Sequence, residues 1–179
     1  MKALIKAAIG VAIVAAISVS AVEPAVCSAY LTVPGLGMLR LESSVFNTGI
    51  EINHVIDGYN NNGDRVGALL YRVDPRKPGE ISLDSIEVLE SYRGMGVFTQ
   101  LFSEMMRRHP DTRVLVSTLM KDNFAAAVAG EDMSDTSTEH CAAMARKTPA
   151  YKVRASNGFS AVTECHVYIW GIVMSVMRP

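Results

Sequence analysis

The sequence carries almost no excess of charge. Its 17 Lys and Arg stand against 18 Asp and Glu, a formal net charge of -1 over 179 residues. Bulk attraction to a phosphate polymer is therefore missing, which excludes a nucleic-acid binder that works by net charge. Cysteine is scarce too. Cys27, Cys141 and Cys165 form an odd set of three, so no disulfide framework is implied, although a single Cys141–Cys165 bridge is open to an exported chain. There are no internal repeats and no low-complexity tract. With 49% hydrophobic and 20% charged residues, an intrinsically disordered chain is excluded as well. The length leaves room for one domain and a short appendage, and excludes a multidomain machine.

What is present begins with an uneven distribution of that hydrophobicity. Lys2 and Lys6 precede Ala7 to Val22, sixteen residues without a charge. A basic start, an apolar stretch and small residues at Ser18-Val19-Ser20-Ala21 or Val26-Cys27-Ser28-Ala29 follow the grammar of a secretory signal. The stretch is shorter than the ~20 residues that span a bilayer comfortably. A signal peptide or marginal anchor is therefore expected ahead of a spanning helix, with a buried Ala-rich helix or a later start at Met38 as alternatives. Membrane contact, if any, falls to residues 3–22, and the two lysines would hold the N-terminus in the cytoplasm. Residues 1–38 are read as leader and linker, and 39–179 as the domain.

Along that domain, alternation from Ile50 to Ile56, a turn at Asn60 to Asp64, and a run from Val66 to Val73 predict an antiparallel hairpin. Glu80 to Leu89 adds a third strand after the proline-bearing connection Asp74 to Gly79. Val97, Leu101, Phe102, Met105 and Met106 then recur at helical spacing, up to Pro110. Arg113 to Leu119 predicts a buried strand returning parallel to the one before the helix. A short helix is expected at Asn123 to Gly130, and a second one from a Thr136/Glu139 capping box to Lys147, ended by Pro149. Gly158 to Thr163 and Cys165 to Val176 predict two final strands. The fold class is α/β: a single mixed, mostly antiparallel sheet flanked by helices, with an apolar N-terminal segment. His140-Cys141 and Cys165-His166 do not suggest zinc, because Cys165 and His166 are adjacent on a strand and face opposite ways.

The chemistry concentrates in Ile86 to Val97, where a strand runs into Tyr92-Arg93-Gly94-Met95-Gly96 and opens a helix. Amides at a helix N-terminus lack partners, and glycines let backbone approach an anion, so this is a phosphate cradle in outline. It is neither a Walker loop, for want of Gly-Lys-Ser/Thr, nor a dinucleotide fingerprint, whose third glycine would fall on Thr99.

Set after a three-strand meander and before a helix, a strand and a late Asn157-Gly158-Phe159, the run VLESYRGMGVFTQLF resembles the GNAT superfamily of acetyl-CoA-dependent N-acyltransferases. The resemblance covers about residues 45 to 176, and it implies a GNAT-like fold and acetyl-CoA as co-substrate, without a metal. It also implies an amine-bearing acceptor, either a small molecule or a protein. By the same resemblance Ile86 and Val88 lie on the strand that pairs with the pantetheine arm, and Arg93, Gly94, Met95, Gly96 and Val97 wrap the pyrophosphate. Asn123 matches the family's Asn-x-x-Ala. Phe98 stands where the family has a small residue. The family's tyrosine, usually its general acid, comes four residues before Gly-Phe. Here Tyr151 lies seven before Gly158, and Arg154 holds the usual place.

An amine must lose a proton before it attacks a thioester. The resemblance implies a base on the strand leading into the glycine turn, several residues before that turn. Glu80 and Asp84, which share a side with Ile86 and Val88, are therefore the expected bases, and Glu87, which points the other way unless a bulge intervenes, is the reserve. As the nearest tyrosine to the family's place, Tyr151 is the expected acid. The alternative is a non-catalytic acyl-CoA-binding or protein-interaction module. Access to acetyl-CoA places the domain in the cytoplasm, with export or membrane association as the alternative offered by the leader.

Overall fold

The computed structural model describes residues 20–47, 51–120, 137–168 and 171–179. The leader as far as residue 19, Asn123 with its expected helix, and Thr136 lie outside them. Strands β1 (Ser20–Val33), β2 (Gly37–Asn47), β3 (Ile52–Tyr59), β4 (Arg65–Val73) and β5 (Glu80–Val88) run as a continuous antiparallel meander. Helix α1 (Val97–Arg108) crosses to β6 (Val114–Met120), which lies parallel to β5. Helices α2 (Thr138–Lys147) and α3 (Pro149–Ser156) precede the hairpin β7 (Ala161–Tyr168) and β8 (Gly171–Met177). The spatial order is β1-β2-β3-β4-β5-β6-β8-β7, with β8 inserted between β6 and β7.

The expected meander, crossover helix and parallel return are all present. Three features depart from the sequence reading. The sheet takes in residues 20–38, set apart above as leader and linker, because β1 bonds along β2 from Ser20↔Asn47 to Val33↔Gly37. Cys165 to Val176 is not one strand but parts of two, since β7 turns back on β8 with Tyr168 opposite Gly171. Pro149 ends α2 and also opens α3, where a missing N–H costs nothing because the first turn has no acceptor for it. Ser137 caps α2 by accepting from the His140 amide at 3.2 Å, and Thr148 caps α3 by accepting from the Tyr151 amide at 3.2 Å.

Registers decide which face is covered. Tyr71 pairs with Leu83, Leu83 with Ser117, Ser117 with Met174 and Met174 with Cys165, so these five side chains rise from the same face. All five are buried. Helix α1 lies on that face over β4 at Gly67, where a Cβ would meet the Glu87 carbonyl oxygen at 2.9 Å and Val97 Cγ1 at 3.0 Å. Only glycine lets the helix sit so close. Its Leu101, Phe102 and Met105 are fully buried there. Helix α2 covers the far end of the same face and is tied to it by a Cys141–Cys165 disulfide. Glu104, buried on α1, is bonded by the guanidinium groups of both Arg107 and Arg108 at 2.7–2.8 Å.

Where β3 and β4 pass under the C-terminal end of α1, three rings meet. His54 stacks on Tyr71 at 4.8 Å and meets His109 edge-on at 5.1 Å, while the Tyr71 hydroxyl and His109 Nε2 share a hydrogen bond of 3.1 Å. Burial, then the nearby charge positions of His109 and Arg108, push the His54 imidazole down to about 4. His54 is thus neutral in the native state at pH values where an unfolded imidazole is charged. The unfolded chain binds the extra proton, so stability is whole above about 6.5 and falls as pH drops from there toward 4.

Two outcomes are expected. Lowering pH from 7 to 4 should cost roughly 1–2 kcal/mol through His54, after allowance for solvent screening of a half-buried ring. His54→Phe, which keeps the stack, should flatten urea-midpoint stability across that range, and an unchanged slope would refute the assignment. Reduction of the Cys141–Cys165 bridge, which closes a separation of 24 residues, should cost about 3 kcal/mol. Cys165→Ala should then show one urea midpoint with and without reductant.

Candidate functional site

The site follows from an interrupted ladder. β5 and β6 pair only from Glu80↔Val114 to Leu83↔Ser117. Beyond that point β5 stays bonded to β4 as far as Val88, whereas β6 follows β8. The parting coincides with a bulge. Leu70 faces Ser85 and Tyr71 faces Leu83, which leaves Asp84 as the extra residue. A bulge bends its strand and raises the local twist, and here it carries β5 away from β6. The backbone edge of β5 beyond Leu83 consequently faces a cleft of about 950 Å³ instead of a neighbouring strand. Residues 83–88 form one wall, the start of α1 another, and Thr118 with Thr148, Pro149, Ala150, Val153 and Arg154 the third.

At the α1 wall the chain makes a short 3-10 turn, Glu90 to Tyr92, and then the expected glycine turn. Gly94 and Gly96 have φ of +79° and +85°. A Cβ at Gly94 would meet nothing within 4 Å and one at Gly96 only Val33 Cγ1 at 3.8 Å, so the backbone conformation and not space selects glycine at both. Gly96 is the N-cap of α1, and its carbonyl accepts from the Gln100 amide at 3.1 Å. The amides of the first turn, at Val97 to Thr99, have no intrahelical acceptor and carry the positive end of the helix dipole. Two bonds hold the turn in place. Arg93 Nε donates to the Val88 carbonyl at 3.2 Å, and Asn60 Nδ2 donates to the Tyr92 hydroxyl at 3.0 Å. Asn60 in turn organises its own hairpin by accepting from the amides of Asn62 and Asp64 at 2.9 Å.

Of the residues from Ile86 to Val97 singled out in the sequence, Ile86, Val88, Arg93, Gly94, Gly96 and Val97 line the cleft, and Met95 borders a smaller hollow beside it. Phe98 lines the cleft and packs edge-on against Phe102 at 5.9 Å.

The three carboxylates separate. Because Asp84 is the bulged residue, Ile86 and Val88 fall on the covered face with Leu83, while Asp84 and Glu87 fall on the other. The expected sharing of one side by Asp84, Ile86 and Val88 is therefore corrected by the bulge. Asp84 and Glu87 line the cleft. Arg72 Nε donates to Asp84 Oδ2 at 2.7 Å, and Arg72 Nη1 reaches both oxygens of Glu51 at 2.9 Å. The hydrogen bonds to Asp84 and then to Glu51 raise the arginine above its ordinary range. Glu87 is more open, with Arg65 at 3.5 Å. Glu80 sits at the other end of β5, paired with Lys77 at 2.9 Å, and does not line the cleft.

Tyr151 is buried, and its hydroxyl donates to the Ser160 carbonyl at 2.7 Å; it is not a lining residue. Arg154 is. It is 0% exposed, and its Nε and Nη1 have no hydrogen-bond partner. Sequence reasoning missed Arg154, Thr118 and Thr148 as site residues. The available signal for Arg154 was its position, four residues before Gly158. Among the described residues no group of three or more His, Cys, Asp or Glu could hold a metal ion.

Residues 42–128 match the sequence model of the acetyltransferase (GNAT) family. No curated protein matches the chain. Solved structures with a similar course include the diaminobutyrate acetyltransferase of Paenibacillus lautus, in complex with L-2,4-diaminobutyric acid and coenzyme A, at 14% identity over 69% of each chain and a TM-score of 0.48. A GNAT-family acetyltransferase from Desulfovibrio desulfuricans is 16% identical over 71% of this chain and 70% of its own, with a TM-score of 0.45. Nourseothricin acetyltransferase is 15% identical over 90% of each chain, also at 0.45.

The glycine turn makes its own expectation. Gly96→Ala meets no steric obstacle but must hold φ near +85°, so it should cost about 1–2 kcal/mol in urea unfolding. An unchanged midpoint would show that the turn adopts another conformation.

Proposed function

We propose that the protein, whose residues 42–128 match the sequence model of the acetyltransferase (GNAT) family, transfers an acetyl group from acetyl-CoA to an amine. The observation that carries this reading is the cleft itself: a strand edge released from its ladder and a glycine turn at a helix start, side by side. The edge of β5 supplies N–H and C=O groups to an extended amide-bearing chain such as pantetheine, as a neighbouring strand would. The turn from Arg93 to Val97 and the first amides of α1 suit a pyrophosphate. Acetyl-CoA brings an activated thioester, and the remaining chemistry falls to this chain.

The amine arrives protonated at neutral pH and needs a base. Asp84 and Glu87 line the cleft, and Arg72 holds the Asp84 carboxylate in a fixed position, so the proton goes to one of them directly or through water. Glu80, at the far end of the strand, is remote from that transfer. Tyr151 spends its proton on Ser160, which leaves the thiolate to depart without that acid. The same hydrogen bond is what favours a second reading, a non-catalytic acyl-CoA-binding module. Release of free thiol in the presence of varied amines separates the two. A need for acetyl-CoA argues for the cytoplasm, while the Cys141–Cys165 bridge argues for an oxidising compartment. We favour the cytoplasm, and a mature N-terminus found at Val22 or Tyr30 would overturn that choice.

Acetyl-CoA should bind and raise the Tm, because a ligand selective for the native state must. Gly96→Val should weaken binding by roughly tenfold or more through the displaced amides. Absence of calorimetric binding at millimolar concentration would refute the reading. Among Asp84→Asn, Glu87→Gln and Glu80→Gln, one cleft variant should lose the acidic limb of kcat/KM and about a hundredfold in rate, with Glu80→Gln following wild type.

A further inference from the structure

Two charged side chains are buried among the described residues, and the fold treats them differently. Glu104 is met by two guanidinium groups. Arg154 has no such partner among the described residues. Its Nε and Nη1 have no partner, burial alone acts on it, and although that lowers the guanidinium to about 10 it remains a cation at neutral pH. An uncompensated buried charge is among the costlier features a fold can keep. Arg154 nevertheless lines the cleft from α3, one turn beyond Ala150 on the same helix face. A cation held without a partner at the wall of a binding cleft is prepared for an anion that enters it.

We propose that Arg154 is the receptor for a carboxylate carried by a substrate in this cleft. The proposal rests on the acyl-transfer reading and narrows it: either the acyl group ends in a second carboxylate, as in a dicarboxylic mono-thioester, or the acceptor is an amino acid and not a simple amine. The other anions of the reaction fit less well. The phosphates of the acyl carrier have the glycine turn at α1, and the thiolate exists only after the acyl bond breaks, which would leave the guanidinium unpaired in the substrate complex. A carboxylate pairs with it throughout, and its two coplanar oxygens match the planar fork of donors.

The test compares wild type with Arg154→Met, which keeps the stem and removes the charge. Because the charge has no internal partner, the variant should be at least as stable as wild type; Arg154→Gln carries the same comparison if the Met variant does not fold. By calorimetry at fixed ionic strength, wild type should bind succinyl-CoA roughly tenfold or more tighter than acetyl-CoA, and the variant should lose that preference. If the carboxylate belongs to the acceptor instead, thioester preference is absent. Wild type with bound CoA should then take alanine in preference to ethylamine, again by roughly tenfold and again lost in the variant. Either result supports the proposal. Equal binding within both pairs in wild type, or preferences that survive in the variant, overturns it. If no thioester binds, the acyl-transfer reading fails by itself, and thermal stabilisation of wild type by succinate but not succinamide, absent in the variant, decides for Arg154. Equal shifts decide against it.

Discussion

One extra residue governs the architecture of this protein. By inserting Asp84 between the pairs Leu70–Ser85 and Tyr71–Leu83, the chain keeps β5 bonded to β4 while turning it away from β6. A parallel ladder that could have continued ends after Leu83↔Ser117. Every feature of the candidate site depends on that parting. It frees a strand edge, makes room for a cleft, turns Asp84 and Glu87 to one side with Arg72, and aims the end of β5 at the glycine turn from which α1 starts. Without the bulge the sheet would be continuous and the turn at Gly94 to Gly96 would be only a connection.

Close packing of α1 is the second condition. Gly67 admits the helix to within van der Waals reach of β4, and Leu101, Phe102 and Met105 fill the space beneath it. The N-terminal amides of α1 are therefore placed by a rigid core and not by a loop, which is how a backbone site gains precision. The electrostatics follow the same division. Arg72 and Glu104 are each satisfied by two opposite charges, whereas Arg154, at the cleft wall, has no partner for its Nε and Nη1 among the described residues.

Most of the fold was legible where one local signal sufficed. Period-two alternation marked β3, the helical spacing from Val97 to Met106 marked α1, and the glycine turn marked its start. What stayed hidden depended on pairing partners that no local pattern names. β1 was obscured because apolar, Ala-rich sequence before Met38 reads equally as a leader. The β7–β8 hairpin was obscured because its β-branched run stays apolar across the reversal. α3 was obscured because Pro149 signals an end as strongly as a beginning. At the site, the bulge at Asp84 decided which carboxylates face together, and a bulge is visible only against the opposite strand. Arg154 is legible as a residue but not as a buried one. Burial without a partner is a property of the packed molecule.

The disulfide has a mechanical meaning for the cleft. One jaw, the start of α1, is clamped to β3 and β4 through Gly58 and Gly67. The other jaw, α3, follows α2, and α2 is bolted to β7 through Cys141 and Cys165. Between the jaws the sheet is joined only by the four residue pairs from Glu80↔Val114 to Leu83↔Ser117. Stiff bodies on either side of a narrow neck concentrate compliance in the neck. Widening of the cleft is therefore a rotation about those four pairs, and the amides that report it by exchange with solvent are those of residues 80–83 and 114–117, at the closed end of the wedge.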